Sequence, residues 1–422
     1  KEELMKVSEK VSMIKMSPQK LAMLPNVGEK DIMRSFQLMP GVSASSESSS
    51  GLYVRGGTPD QNLIVYDGFT VYQVDHLYGF YSAFNSNAIK DVQLYKGGFE
   101  PKYGGRLSSV TEITGKEGNS RGFNIGGDIS LLSLNAYLES PLGDDATLLL
   151  AARRSYKGPL YNKIFNKFNT SNSNPQQRAP TGGGPGGRGN AFDNATTVSS
   201  YFYDFNGKFT YKPSKKDVLS LSIYNGTDNL DNSQESSGGG GGFGGGGGRG
   251  FGFNVNDVTN YGNLGGSLRW ARKWSEQFFN TTVLGYSNYY SDRDRSNSNT
   301  LTDEDGNSRE IKTGTIENND LKDISLKTDF EYAWRKDNKL KFGAYATNYN
   351  IKYTYSQNDT STILDRHTSG NLAGLYIQDQ QFLLGDKLSL EPGLRFSYFD
   401  QTSKSYFEPR LAVNYKFNNK LT

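Results

Sequence analysis

Between residues 200 and 417, short polar turns alternate with long polar loops, and the segments between them repeat with period two. The turns fall at 212–217, 272–277, 335–339, 384–387 and 417–420, and the loops at roughly 228–258, 291–320, 353–368 and 400–405. Successive side chains of a strand point to opposite faces. In one segment Ile324, Leu326, Thr328, Phe330, Tyr332 and Trp334 share a face, while Ser325, Lys327, Asp329 and Glu331 share the other. Tyr201, Tyr203, Phe205, Phe209 and Tyr211 likewise oppose Asp204, Asn206, Lys208 and Lys212. Leu388, Leu390, Leu394, Phe396 and Tyr398 oppose Ser389, Glu391, Arg395 and Ser397, and Phe407, Leu411, Val413 and Tyr415 oppose Glu408, Arg410, Asn414 and Lys416. One face is greasy and the other charged. Long hairpins joined alternately by short and long connections are the pattern of a transmembrane β-barrel. A soluble antiparallel sandwich also has one wet face, but its strands typically run ~5–6 residues, and these run 12–16.

Composition agrees. Only 35% of the 422 residues are apolar, and outside the glycine-rich tracts the longest run free of side chains more polar than Thr is 146–152. A membrane helix needs ~20 such residues, so a spanning chain must close its strands into a barrel. The 27 tyrosines and 24 phenylalanines supply strand formers and interfacial girdles. The absence of cysteine excludes disulfides and thiolate metal sites. A net charge of +3 gives no electrostatic case for nucleic acid. No signal peptide is visible at Lys1, so the chain is expected to start after any targeting segment.

Hairpin counting predicts eleven strands near 123–138, 146–156, 200–212, 217–227, 259–273, 277–290, 321–335, 339–352, 369–383, 387–400 and 405–417, with a twelfth opening at Leu421-Thr422. Such a set leaves open edges, which a membrane does not tolerate, so the barrel is expected to continue beyond residue 422. The first 120 residues read differently. Helices are expected at 16–24 and 29–39, broken by Pro25 and by Pro40-Gly41, and strands at 51–55, 62–66, 89–96 and 110–114. Gly56-Gly57, Gly97-Gly98 and Gly104-Gly105 mark tight turns. The chain is therefore divided into a compact α+β unit, 1–120, too small and polar to form barrel wall, and a mostly β barrel, 121–422.

The run Leu52-Tyr53-Val54-Arg55-Gly56-Gly57, followed by Asn62-Leu63-Ile64-Val65-Tyr66-Asp67-Gly68, resembles the plug domain of TonB-dependent outer-membrane receptors. So do Gly97-Gly98-Phe99-Glu100 through Tyr103-Gly104-Gly105-Arg106, leading into 110–116, and the earlier Leu38-Met39-Pro40-Gly41-Val42. The flavour is similar to receptors of Bacteroidetes-type bacteria, which often carry a small carboxypeptidase-regulatory-like domain ahead of the plug. Plug plus barrel covers essentially the whole chain. The resemblance implies a barrel of about 22 strands, of which this chain is about half, with the plug in its lumen and residence in the outer membrane. It also implies that the TonB energy-coupling system, acting through a segment not in this chain, pulls on the plug to admit a captured ligand. Expected partners are outer-membrane lipids and, at the long extracellular loops, a surface lipoprotein or other outer-membrane proteins.

Family members pair plug arginines with glutamates on the barrel's inner wall, and the resemblance points to Arg55 and Arg106 as the arginines here. Glu391 and Glu408 each precede a proline on the polar strand face and are the expected partners. Directional arginine–carboxylate pairs of this kind would fix the plug. Tyr72, His76, Tyr78, Phe80, Tyr81 and Phe84 form an aromatic segment that either faces the ligand or packs the plug apex. The glycine-rich tracts 182–189 and 238–252, with Arg188, Arg249, Phe243 and Phe251, lack the strand–turn–helix context of a phosphate loop and read as flexible loop. Residues 303–307 resemble a calcium loop only faintly and read as a hairpin tip. Neither His76 nor His367 has a neighbouring nucleophile or metal-ligand spacing. The expectation is no catalysis, no cofactor and no metal. Two functions fit: TonB-driven import of a ligand, or a receptor-like barrel serving as a structural part of an outer-membrane assembly.

Overall fold

The computed structural model describes residues 6–7, 13–17, 30–44, 51–77, 79–130, 133–156, 200–236, 253–302, 308–335, 338–358, 361–384 and 387–417. Two sheets account for most of them. The larger is a wall of twelve antiparallel strands in chain order, from Asn124–Ile129 to Lys404–Tyr415, with the short strand Gln234–Ser236 beside Phe253–Lys273. The smaller has six strands, with Ser109–Gly115 at its centre, antiparallel to Ile89–Tyr95 and parallel to Asn62–Tyr66.

The alternation read from the sequence is the alternation of the wall. Along Tyr201–Ser214, Tyr203 and Phe205 are 39% exposed, while Asp204 and Asn206 are 1–2% exposed. Leu326 is 52% exposed and its neighbour Ser325 only 3%. An apolar residue left bare on a folded wall is stable only if lipid covers it. Polar groups can be buried on the other face only if something polar meets them. That something is the plug.

The strands differ from expectation in two informative ways. The segment expected as one strand, 123–138, is a hairpin, Asn124–Ile129 against Ser133–Pro141. It is folded where the Ser130 and Ser133 hydroxyls meet at 2.9 Å and the Ser130 amide donates to the Ser133 carbonyl. The expected loops 291–320 and 353–368 are largely strand: Phe278–Thr302 pairs with Ser308–Arg335 along its full length, and Asn338–Gln357 with Ser361–Leu383. Ladder hydrogen bonds belong to the backbone and persist where side chains are polar on both faces. The hydrophobic alternation therefore stops where lipid stops, and the strand continues into water.

In the plug, the helix expected at 29–39 appears as Ile32–Gln37, capped by the Asp31 carboxylate accepting from the Arg34 amide at 2.9 Å. Most of the helix expected at 16–24 lies outside the described residues. Met16 itself closes a strand, Met13–Met16, that pairs with Ile89–Tyr95 and buries Met13, Ile14 and Met16. The Asp67-Gly68 pair, at φ +44° and +101°, makes the two-residue turn joining Asn62–Tyr66 to Phe69–Thr70. The plug's apolar core gathers Ile32, Met33, Phe36, Leu52, Ile89 and Leu94.

If lipid covers the outer face, Leu326→Arg should destabilise the protein by about 2–4 kcal/mol, as arginine does near a bilayer midplane. Ile316→Arg, on the extracellular extension of the same strand, should cost little. Urea unfolding in lipid vesicles measures both, and equal costs would contradict this placement of the bilayer.

Candidate functional site: the plug–wall interface

The interface is built where inward side chains of the wall meet plug turns. At its top, the imidazole of His76 lies between two wall carboxylates. Its Nδ1 is 2.6 Å from Asp228 Oδ2, and its Nε2 is 3.3 Å from Asp204 Oδ2. The second contact falls outside good hydrogen-bond geometry. Arg153 donates to Asp204 at 2.6 Å and to the Ser82 carbonyl at 2.8 Å, and the Leu77 amide donates to Asp228 at 2.8 Å. Phe202 stacks on the imidazole at 4.3 Å between ring centres and lies beneath the Arg153 guanidinium. All of these side chains are buried.

Burial alone would lower the pKa of His76, but the Asp228 charge and the contacts with both carboxylates outweigh it and push the pKa up to about 9. The imidazole is therefore a cation at neutral pH. The pKa of nearby Asp75 is also raised, to about 6, chiefly by burial, with a hydrogen bond from Gln73 opposing.

Midway down, the Asp67 carboxylate accepts from Lys208 Nζ at 2.8 Å, Ser222 Oγ at 2.8 Å and the Gly115 amide at 3.1 Å. Its carbonyl accepts from Ser267, and that of Gly68 from Lys327 Nζ at 3.0 Å. A Cβ at Gly68 would come within 2.7 Å of Val283, so this turn reaches the wall only as Asp-Gly. Higher up, Asn263 accepts from the Tyr72 and Gln73 amides and donates to the Gln73 carbonyl, as a neighbouring strand would, and the Tyr72 hydroxyl donates to Asp323 at 2.5 Å. Toward the short-turn side, Lys341 pairs with Glu100 at 2.8 Å. Arg395 donates to the carbonyls of Pro101 and Lys102, and Arg410 to those of Phe99 and Glu100. A Cβ at Gly104 would stand 2.5 Å from Arg395 Nε, so the glycine makes room for the guanidinium. Tyr103 turns its hydroxyl to Glu112 at 2.6 Å.

The expected lock, Arg55 and Arg106 with Glu391 and Glu408, is not formed. Glu391 accepts from Gln378 and Gln380, and Glu408 from Ser397 and Arg410, with Arg395 beside it, all on the wall. Arg106 folds onto the carbonyl of Gly105, and Arg55, at φ +50°, turns toward Gly97. Gly56 and Gly105 hold positive φ, and Gly57 packs at Ser108. The polarity of the lock is reversed: the arginines stand on the wall, and the plug offers backbone carbonyls. In the aromatic segment, Tyr81 packs with Phe202, Phe80 lies under Arg34, and Phe84 is in the plug core. Tyr78, the two glycine-rich tracts and residues 303–307 lie outside the described residues. Phe202 and Tyr224, whose hydroxyl donates to the Ala83 carbonyl at 2.9 Å, are the docking residues that sequence reasoning missed. Their signal was available, since each is an aromatic out of phase on the polar face.

Comparison with known proteins agrees with this architecture. Residues 10–111 match the family model of the TonB-dependent Receptor Plug Domain. The match covers about a quarter of the chain. The fold is shared with the ferric enterobactin receptor PfeA of Pseudomonas aeruginosa, determined as a mutant, at a TM-score of 0.62 and 13% identity over 97% of this chain and 60% of that one. The siderophore receptor PirA of Acinetobacter baumannii gives 0.61 and 14% over 98% and 60%, and the outer membrane transporter YddB of Escherichia coli 0.62 and 12% over 96% and 59%. The chain thus spans about three fifths of these solved proteins. No curated protein matches it in sequence.

Two outcomes follow for the receptor. His76→Leu leaves Asp204 to Arg153 and Asp228 to the Leu77 amide, and breaking a buried pair costs about 3–5 kcal/mol. The urea concentration at which the plug becomes protease-sensitive should fall while the barrel stays folded, and an unchanged midpoint would contradict the docking role. Because the folded pKa of His76 is raised above its unfolded value of about 6.5, its contribution is complete below that pH and lost as pH rises through about 9. Plug protection should therefore decline between those values in the native receptor and not in His76→Gln.

Proposed function

We propose that the receptor imports a ligand across the outer membrane, with TonB supplying the force that shifts the plug. What supports this is the way the plug is held. Its backbone carbonyls at Asp67, Gly68, Phe99, Glu100, Pro101 and Lys102 are bridged by single wall side chains, Ser267, Lys327, Arg410 and Arg395. Each such bond can be exchanged for water on its own at a net cost of about 1 kcal/mol. A pull from the periplasm can therefore take the contacts in sequence and restore them afterwards. The solved relatives are named for ferric enterobactin, for siderophores and for outer-membrane transport. A ligand captured at the extracellular side is the matching role here.

The test uses the full-length receptor in a planar lipid bilayer, with the C-terminal domain of TonB bound on the periplasmic side and pulled by a bead. Ionic current should rise in steps under load and fall when the load is released. A bilayer that stays closed up to rupture of the TonB contact would favour the architectural role, as would failure of TonB to bind.

A further inference from the structure

Strand Ala146–Ser155 rises from the short-turn side, where Ala146 pairs with Tyr211, and its outward side chains are Leu148, Leu150, Ala152 and Arg154. A file of lipid-facing residues thus ends in a cation. Arg154 is opposed in register by Tyr203 on one side and by Leu134 on the other, and Leu134 in turn by Ile129. Ile129 is 75% exposed and Leu134 52%. The inward neighbour Arg153 is held by Asp204, whereas Arg154 makes no ion pair among the described residues. Its guanidinium lies 5.9 Å from the ring centre of Tyr201.

The arginine stands where the lipid-facing band ends. Gly207, Phe205 and Tyr203 oppose Ile223, Asn225 and Thr227 on the following strand, so the outward residues turn from apolar to polar near this height. On the other side, the hairpin turns back at 130–133, directly after its outward pair Ile129 and Leu134. Lipid headgroups therefore meet this part of the wall close to Arg154. The surface is indented there. A groove of about 630 Å³ has Ile129, Leu134, Arg154, Tyr156 and Tyr201 in its lining, and the Tyr156 hydroxyl is anchored on the Ser130 carbonyl.

We propose that this groove binds one phosphate-bearing lipid of the extracellular leaflet, with its phosphate on Arg154 and its acyl chains on Leu134 and Ile129. An outward arginine at interface depth costs little and can extend into water. What points to a ligand is its place on the rim of an apolar hollow. Water alone would leave Ile129 and Leu134 bare, and a lipid without negative charge would leave the guanidinium without a counter-ion. A phosphate lipid satisfies both surfaces at once. The planar guanidinium offers paired N–H donors that match phosphate oxygens. Tyr156 and Tyr201 supply amphipathic rings of the kind that gather at headgroup level. The site lies outside the barrel and is independent of import.

The test exposes the full-length protein, in detergent micelles, to a phosphatidic acid that carries a diazirine in one acyl chain. After irradiation, the labelled peptides are identified by mass spectrometry, and heat-modifiable mobility confirms that each variant is folded. Labelling should concentrate on peptides containing Ile129, Leu134 and Tyr201, and should fall there at least tenfold in Arg154→Gln. Arg272→Gln, which removes an arginine paired with Asp217 at the short-turn end of the wall, should leave it unchanged. The matching diacylglycerol, which lacks the phosphate, should label these peptides at least tenfold less than phosphatidic acid does. Undiminished labelling in Arg154→Gln, an equal loss in Arg272→Gln, equal labelling by diacylglycerol, or no labelling of these peptides would overturn the proposal. Displacement of the lipid by excess inorganic phosphate would overturn it too, by giving Arg154 to a free anion.

Discussion

A wall one residue thick that separates lipid from water must solve two burial problems with the same strand. Lipid cannot accept a charge or an unpaired peptide group, so the outer side carries Leu, Ile, Tyr and Phe, and the interior strands bond their backbones to neighbours on both sides. The inner side is then left with Asp, Lys, Asn and Ser, which are costly to bury unless another polar surface meets them. The plug supplies that surface, and its turns at Asp67-Gly68, Gly104 and His76 are shaped to the wall side chains they receive. The architecture of the site follows from the two solvents of the wall.

The fold was legible because alternation is enforced by those solvents at every strand. The same cause explains where reading failed. Residues 291–302 and 308–320 carry no apolar rhythm because water lies on both sides of them, yet their backbones continue the ladder. A hydropathy pattern reports the medium around a strand and only indirectly the strand. The hairpin at Ser130 was missed for a related reason, since its turn is made by two serine hydroxyls and lacks the glycine or proline that usually marks one.

The docking site was legible in its motifs and not in its pairings. Asp67-Gly68 and Tyr103-Gly104 were singled out by resemblance, and both sit at the interface, where Gly104 admits Arg395. The arginine lock was drawn in the wrong direction because a sequence shows charged residues and hides backbone carbonyls, which are the acceptors that Arg395 and Arg410 use. His76 read as an isolated histidine because its partners, Asp204 and Asp228, are 128 and 152 residues away along the chain. Only strand register brings them to one level. The aromatics Phe202 and Tyr224 show what such a reading should look for: a large ring on the wrong face of an otherwise regular strand.

The paired extensions of the wall carry a mechanical consequence. The longest strand has 28 residues, whereas crossing a membrane takes only about 9–11, so the remainder stands free of the bilayer as a hydrogen-bonded parapet. Adjacent strands brace one another there, residue by residue, through the continued ladder.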